Sequence, residues 1–130
     1  AALPGLLTEA AKVGDDEAMK ALLAQEVPID IVDENGYTPL YVATMYEKAS
    51  TVAVCIDHGA EIDKENNNGV TPLMAAARDG YTEIVKMLMM HGGVEVNKAR
   101  TDDGATPLYT ACCGGYTAVV KLLLAPDFID

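Results

Sequence analysis

The side chains best able to do chemistry in this chain are two histidines, three cysteines and a carboxylate run beginning at Glu61. His58 and His91 stand 33 residues apart. A zinc site needs its ligand atoms within about 2 Å of one ion. Two equivalent positions in successively packed helical units lie roughly 10 Å apart, so this pair reads as neither a metal site nor a catalytic centre. Cys112 and Cys113 precede Gly114-Gly115. Adjacent cysteines cannot bridge without a strained backbone, and no His or Lys stands next to Cys113 to activate it. With Cys55 they are too few for a disulfide framework. Free thiols at small, apolar positions suit a reducing compartment, so the cytosol is the default, with an organelle interior open after removal of a transit peptide. Glu61, Asp63 and Glu65 run into Asn66 to Asn68 but lack the ligand order and closing Glu of a calcium loop. Met87 to Met90 reads as a core helix. No phosphate loop, nucleophile elbow or zinc spacing occurs, so no enzyme activity, metal or cofactor is expected.

The elements that must carry these residues repeat. Thr-Pro-Leu occurs at Thr38, Thr71 and Thr106, spaced by 33 and 35 residues, each copy preceded by Gly36, Gly69 or Gly104. A fixed period near 33 means a stack of small units in which neighbours bury one another. Within the middle unit, Asn67-Asn68-Gly69 forms a turn, Thr71 caps a helix and Pro72 takes its first position, where a missing N–H costs nothing. Leu73 to Arg78 makes a short alanine-rich helix that Asp79-Gly80 ends. A second helix near Thr82 to Met90 carries Ile84, Val85, Leu88 and Met89 at helical spacing. The flanking units follow the same grammar. Leu7, Ala10, Ala11, Met19, Leu22 and Leu23 fall in register ahead of them without Thr-Pro-Leu, as a terminal unit can. Ala125-Pro126 stops the final helix, leaving a short tail from Asp127 to Asp130.

Gly-x-Thr-Pro-Leu followed by Ala, Gly, Val and Leu-Leu at this period resembles the ankyrin repeat. The resemblance covers residues 6 to about 125 and implies an all-α solenoid with β-hairpin tips. One domain, 1–130, would hold about four repeats: an atypical cap over about 3–32, then 33–65, 66–100 and 101–130. The histidine that usually follows Thr-Pro-Leu is Tyr41, Met74 or Tyr109 here, and the usual Gly-His is Glu47-Lys48, Gly80-Tyr81 or Gly115-Tyr116, which questions the side-chain bonds between repeats. Cys112 falls where the family has a buried alanine, which makes it a core position. The 35-residue spacing places extra residues near Gly93-Val94 and in a longer, more mobile tip around Lys98 to Asp103.

The resemblance further implies protein recognition through a concave face of tips and first helices. Carried over by position, the contact residues are Glu34, Asn35, Tyr37, Met45 and Tyr46 in the first full unit. Asn67, Asn68, Val70, Arg78 and Asp79 follow in the next, and Asp102, Asp103, Ala105 and Cys113 in the last. The net charge of −11, from 20 acidic and 9 basic residues, argues against nucleic acid and an anionic membrane surface. Acidic tips at Glu34, Asp102 and Asp103 would suit a protein partner with basic edges. No apolar run approaches the roughly 20 residues of a membrane span. Two alternatives stay open: a structural subunit of a larger assembly, which a bare end at Leu122 to Leu124 favours, or a regulatory module of a multidomain enzyme. The chain begins without Met and without a signal-peptide pattern, so it is expected to be processed or part of a longer protein.

Overall fold

A computed structural model describes residues 2–91 and 93–125. Gly92, Pro126 and the expected tail from Asp127 to Asp130 lie outside the described residues. Eight helices form among them: α1 (Ala2–Val13), α2 (Asp16–Ala24), α3 (Pro39–Met45), α4 (Ala49–Asp57), α5 (Pro72–Asp79), α6 (Thr82–Met89), α7 (Pro107–Gly114) and α8 (Thr117–Leu124). They pair in chain order. The first helices of successive pairs pack in one row and the second helices in another, so each repeat touches chiefly its neighbours.

The repeated Thr-Pro sets where each inner helix starts. Thr38, Thr71 and Thr106 hydroxyls accept from the N–H of Tyr41, Met74 and Tyr109 at 3.1, 3.2 and 3.1 Å. Each satisfies a donor that the first helical turn leaves without a partner. The short apolar faces then meet in a continuous core through all four pairs, containing Leu7, Met19, Leu40, Val52, Leu73, Val85, Leu88 and Val119.

The tips are turns, and among the described residues none reaches strand geometry. The first tip is closed by the Asp33 N–H donating to the Tyr37 carbonyl at 3.2 Å, and the second by Asn66 N–H to Val70 carbonyl at 2.9 Å. Asp33 and Asn66 side-chain oxygens also accept from the backbone N–H two and four residues on. Such local side-chain bonds give the chain an alternative to a ladder. The third tip runs from Arg100 N–H to Ala105 carbonyl at 2.9 Å, one residue longer. Arg100 stands there in place of the Asp or Asn, and Asp103 supplies the turn acceptor, to Ala105 N–H at 3.0 Å.

Hydrogen bonds across repeats replace those expected from the absent histidines. The Tyr81 hydroxyl donates to the Met45 carbonyl at 3.4 Å, and the Thr51 hydroxyl donates to Asp16 at 2.5 Å. Asp30 accepts from Glu61 N–H at 3.0 Å and Asp63 from Glu95 N–H at 2.9 Å, the same device one repeat apart. Bonds from Ser50 and Thr51 hold the Asp16 carboxyl below its ordinary pKa.

Candidate protein-binding surface

The tips and inner helices form a surface whose residues recur in register. Lys12, Met45, Arg78 and Cys113 share one position, and Val13, Tyr46, Asp79 and Gly114 the next. The position after that holds Gly14, Glu47, Gly80 and Gly115, with φ of +78°, +57°, +73° and +73°. Glycine accepts this left-handed backbone without cost, whereas a side chain clashes with it. Glu47 alone of the four carries that strain. Immediately before it, Tyr46 ends α3, 44 % exposed, with the Lys12 ammonium 5.5 Å from its ring centre.

The expected contact residues divide into two sets. Glu34, Asn35, Tyr46, Asn67, Asn68, Arg78, Asp102, Asp103 and Cys113 are exposed, while Asp79 and Ala105 are half-buried. Val70 is a correction: it is buried against Tyr41, Met74 and Ala75. It sits in the extended segment leading into Thr71, and its side chain turns inward under the tip. Tyr37 and Met45 pack onto the same cluster, where the Tyr37 and Tyr41 rings stack with centres 4.8 Å apart. Burial in that cluster raises the Tyr41 pKa. These aromatics support the tip surface more than they project from it.

The charges are also partly spent. Asp102 accepts from Arg100 at 2.7 Å, and Asp103 lies 3.9 Å from the same guanidinium. The last tip is therefore less acidic than its sequence suggests. Arg78 pairs with Asp79 at 3.2 Å, which raises its pKa. Asn67 N–H donates to the Asn35 carbonyl at 3.0 Å, and its side-chain amide donates to the Glu34 carbonyl at 3.0 Å. This fastens the first two tips together, and it explains Gly36, where a Cβ would strike Asn67. The second and third tips are joined at their bases by side chains instead, the Lys98 ammonium donating to the Glu65 carboxylate at 3.0 Å. A shallow groove of about 410 Å³ separates them.

Cys112 is the second correction. It is exposed, as is Cys113, whereas Cys55 is buried and its thiol pKa pushed up to about 12 by burial. The positions equivalent to Cys112, Thr44 and Ala77, are buried because another repeat follows them. No repeat follows α7 and α8 within the described residues. Tyr109 and Lys12 carry no distinguishing signal in the sequence, because their surroundings depend on the neighbouring repeat. Among the described residues, no cluster of three or more His, Cys, Asp or Glu side chains could hold a metal ion.

A family model for ankyrin repeats in three copies matches residues 7–100 and 56–130. The chain belongs to the ankyrin repeat family. It is 34 % identical over 83 residues to the ankyrin repeat and KH domain-containing protein mask-1 of Caenorhabditis elegans, covering 64 % of this chain and 3 % of that protein. It is 39 % identical over 84 residues to human ankyrin repeat and SOCS box protein 11, covering 65 % and 26 %. To the putative ankyrin repeat protein YahD of Escherichia coli it is 29 % identical over 87 residues, covering 67 % and 43 %. The chain thus spans less than half the length of these relatives. Ankyrin repeats are generally protein–protein interaction modules and typically non-catalytic. No described helix of this ankyrin domain is long and apolar enough to cross a membrane.

Proposed function

We propose that this ankyrin domain is a non-catalytic recognition module that holds a partner protein against its concave face, with Tyr46 as the central anchor. The observation that carries this reading is Tyr46 itself, a large aromatic exposed at the end of α3 beside the Lys12 ammonium. Aromatic side chains on a rigid surface are typical binding anchors, because little entropy is lost when they dock. The left-handed Glu47 behind it supports the assignment: backbone strain persists where surrounding structure over-determines it, often at functional sites. Arg78, Asn68 and the first tip at Glu34 and Asn35 supply further exposed side chains. With Asp102 and Asp103 paired internally, the preference for basic partner edges rests on Glu34 and on the net charge of −11. The three free thiols fit a reducing compartment, the cytosol or an organelle interior.

The test is affinity capture from source lysate with wild type and Tyr46→Ala, alongside thermal unfolding of both. A partner lost by Tyr46→Ala, with the unfolding midpoint preserved, is the expected result. Partners retained in full would remove Tyr46 from the interface, and a large loss of stability would make it a packing residue.

A further inference from the structure

We propose that the Tyr46 ring receives an arginine side chain of the partner protein, and that Lys12 holds that place in the free chain. This deepens the recognition reading above and rests on it. The first observation is where the Lys12 ammonium goes. The chain carries 20 acids against 9 basic residues, so carboxylates are plentiful. Lys12 nevertheless forms no ion pair among the described residues. Its ammonium stands 5.5 Å from the centre of the Tyr46 ring, within the distance at which the negative face of an aromatic ring attracts a cation. The backbone arranges this from both sides. Lys12 lies in the last turn of α1, where the helix dipole favours a cation, and Tyr46 closes α3. These two helices are neighbours in the inner row, and both side chains are exposed, so a cation from outside can exchange into the contact.

The second observation is what the same positions hold one repeat further on. Arg78 and Asp79 stand in register with Met45 and Tyr46, and there guanidinium and carboxylate close on each other at 3.2 Å. On this row Arg78 is satisfied by an acid of its own chain and Lys12 only by a ring. A ring holds an ammonium through its face alone, so a better-matched cation replaces it. Arginine is that cation: its guanidinium is planar, stacks on aromatic faces and is less strongly hydrated than an ammonium. Charge selects the same occupant, because a chain at −11 draws basic partners from a distance and repels acidic ones. A partner carboxylate reaching for Lys12 would meet that repulsion first.

Side-chain NMR of Lys12 and Tyr46, with a capped arginine–glycine peptide as the probe, reads the exchange. In the free protein the ring current should move the Lys12 ε-methylene protons upfield, and Tyr46→Leu should abolish that shift. The peptide should perturb the Tyr46 ring signals and return the Lys12 protons toward their ordinary position. Lys12→Gln should tighten this binding about two- to fivefold, the range an exposed cation–ring contact supports. Lys86→Gln removes the same charge from an exposed lysine on α6 and should tighten it less. Tyr46→Phe keeps the ring face and should keep both effects, which carries the test if Tyr46→Leu unfolds. Equal tightening by Lys12→Gln and Lys86→Gln would reduce the gain to net charge and overturn the proposal. So would an unshifted Lys12, or a glutamate–glycine peptide that moves Lys12 more than the arginine peptide does. A lysate partner lost by Tyr46→Ala, but held equally by wild type and Lys12→Gln, would sink the arginine alone and leave the recognition reading standing.

Discussion

The third and fourth repeats are written in almost the same residues and live in different surroundings. Both start from Thr-Pro-Leu, both cap the inner helix through a threonine hydroxyl, and both end it on a left-handed glycine, Gly80 or Gly115. In the third, every residue from Thr71 to Ala77 is buried; in the fourth, only Pro107 and Ala111 of the inner helix are. The local grammar makes the helices, and the next repeat makes the core. Burial in a solenoid is a property of the interface between units.

Three measurements bear on that contrast, and the largest effect is chemical. At pH 8 a thiol with a pKa near 12 is thiolate to roughly one part in ten thousand, so buried Cys55 should resist a thiol reagent that modifies Cys112 and Cys113 quickly. Three equally fast thiols in the native protein would mean that the second repeat is open. Next, Tyr41→Ala should cost about 3–5 kcal/mol as a large core truncation, and Tyr109→Ala less than about 0.5 kcal/mol, in denaturant melts of dilute protein. Equal costs would erase the distinction between covered and uncovered faces. Smallest, Glu47→Gly should stabilise the fold by about 0.5–1 kcal/mol by relieving a left-handed side chain, seen as an unfolding midpoint a few degrees higher. No gain would mean that Glu47 makes a compensating contact, and the second repeat would then match the third in backbone cost.

The architecture is legible in the sequence because its signals are local. Thr-Pro at a helix start, glycine at a helix end and apolar residues at helical spacing each act within a few residues; the structure carries the first and last in all three Thr-Pro-Leu units, and ends the inner helix on glycine in two of them, at Gly80 and Gly115. The proposed binding surface is less legible because exposure is decided across units. Val70 and Tyr37 read as tip residues, but the pocket that buries or stacks them is built by Tyr41 and Met74 of two different repeats. Cys112 reads as core, but its burial would require helices beyond α8. The tip charges depend on Arg100, whose partners Asp102 and Asp103 are close in sequence, yet their pairing depends on how a turn one residue longer bends. Whether Tyr46 contacts a partner is not written in its own repeat at all.

That longer turn has a consequence for how such a protein can change over generations. The extra residue between Arg100 and Ala105 leaves the cap that follows intact: Thr106 Oγ1 lies 3.1 Å from Tyr109 N, against 3.1 and 3.2 Å in the two shorter units. A codon gained at a tip is absorbed where it falls and does not shift the frame of the stack behind it. Tips can therefore drift in length by single codons while inner helices cannot, which lets inheritance explore new loop shapes on an unchanged scaffold.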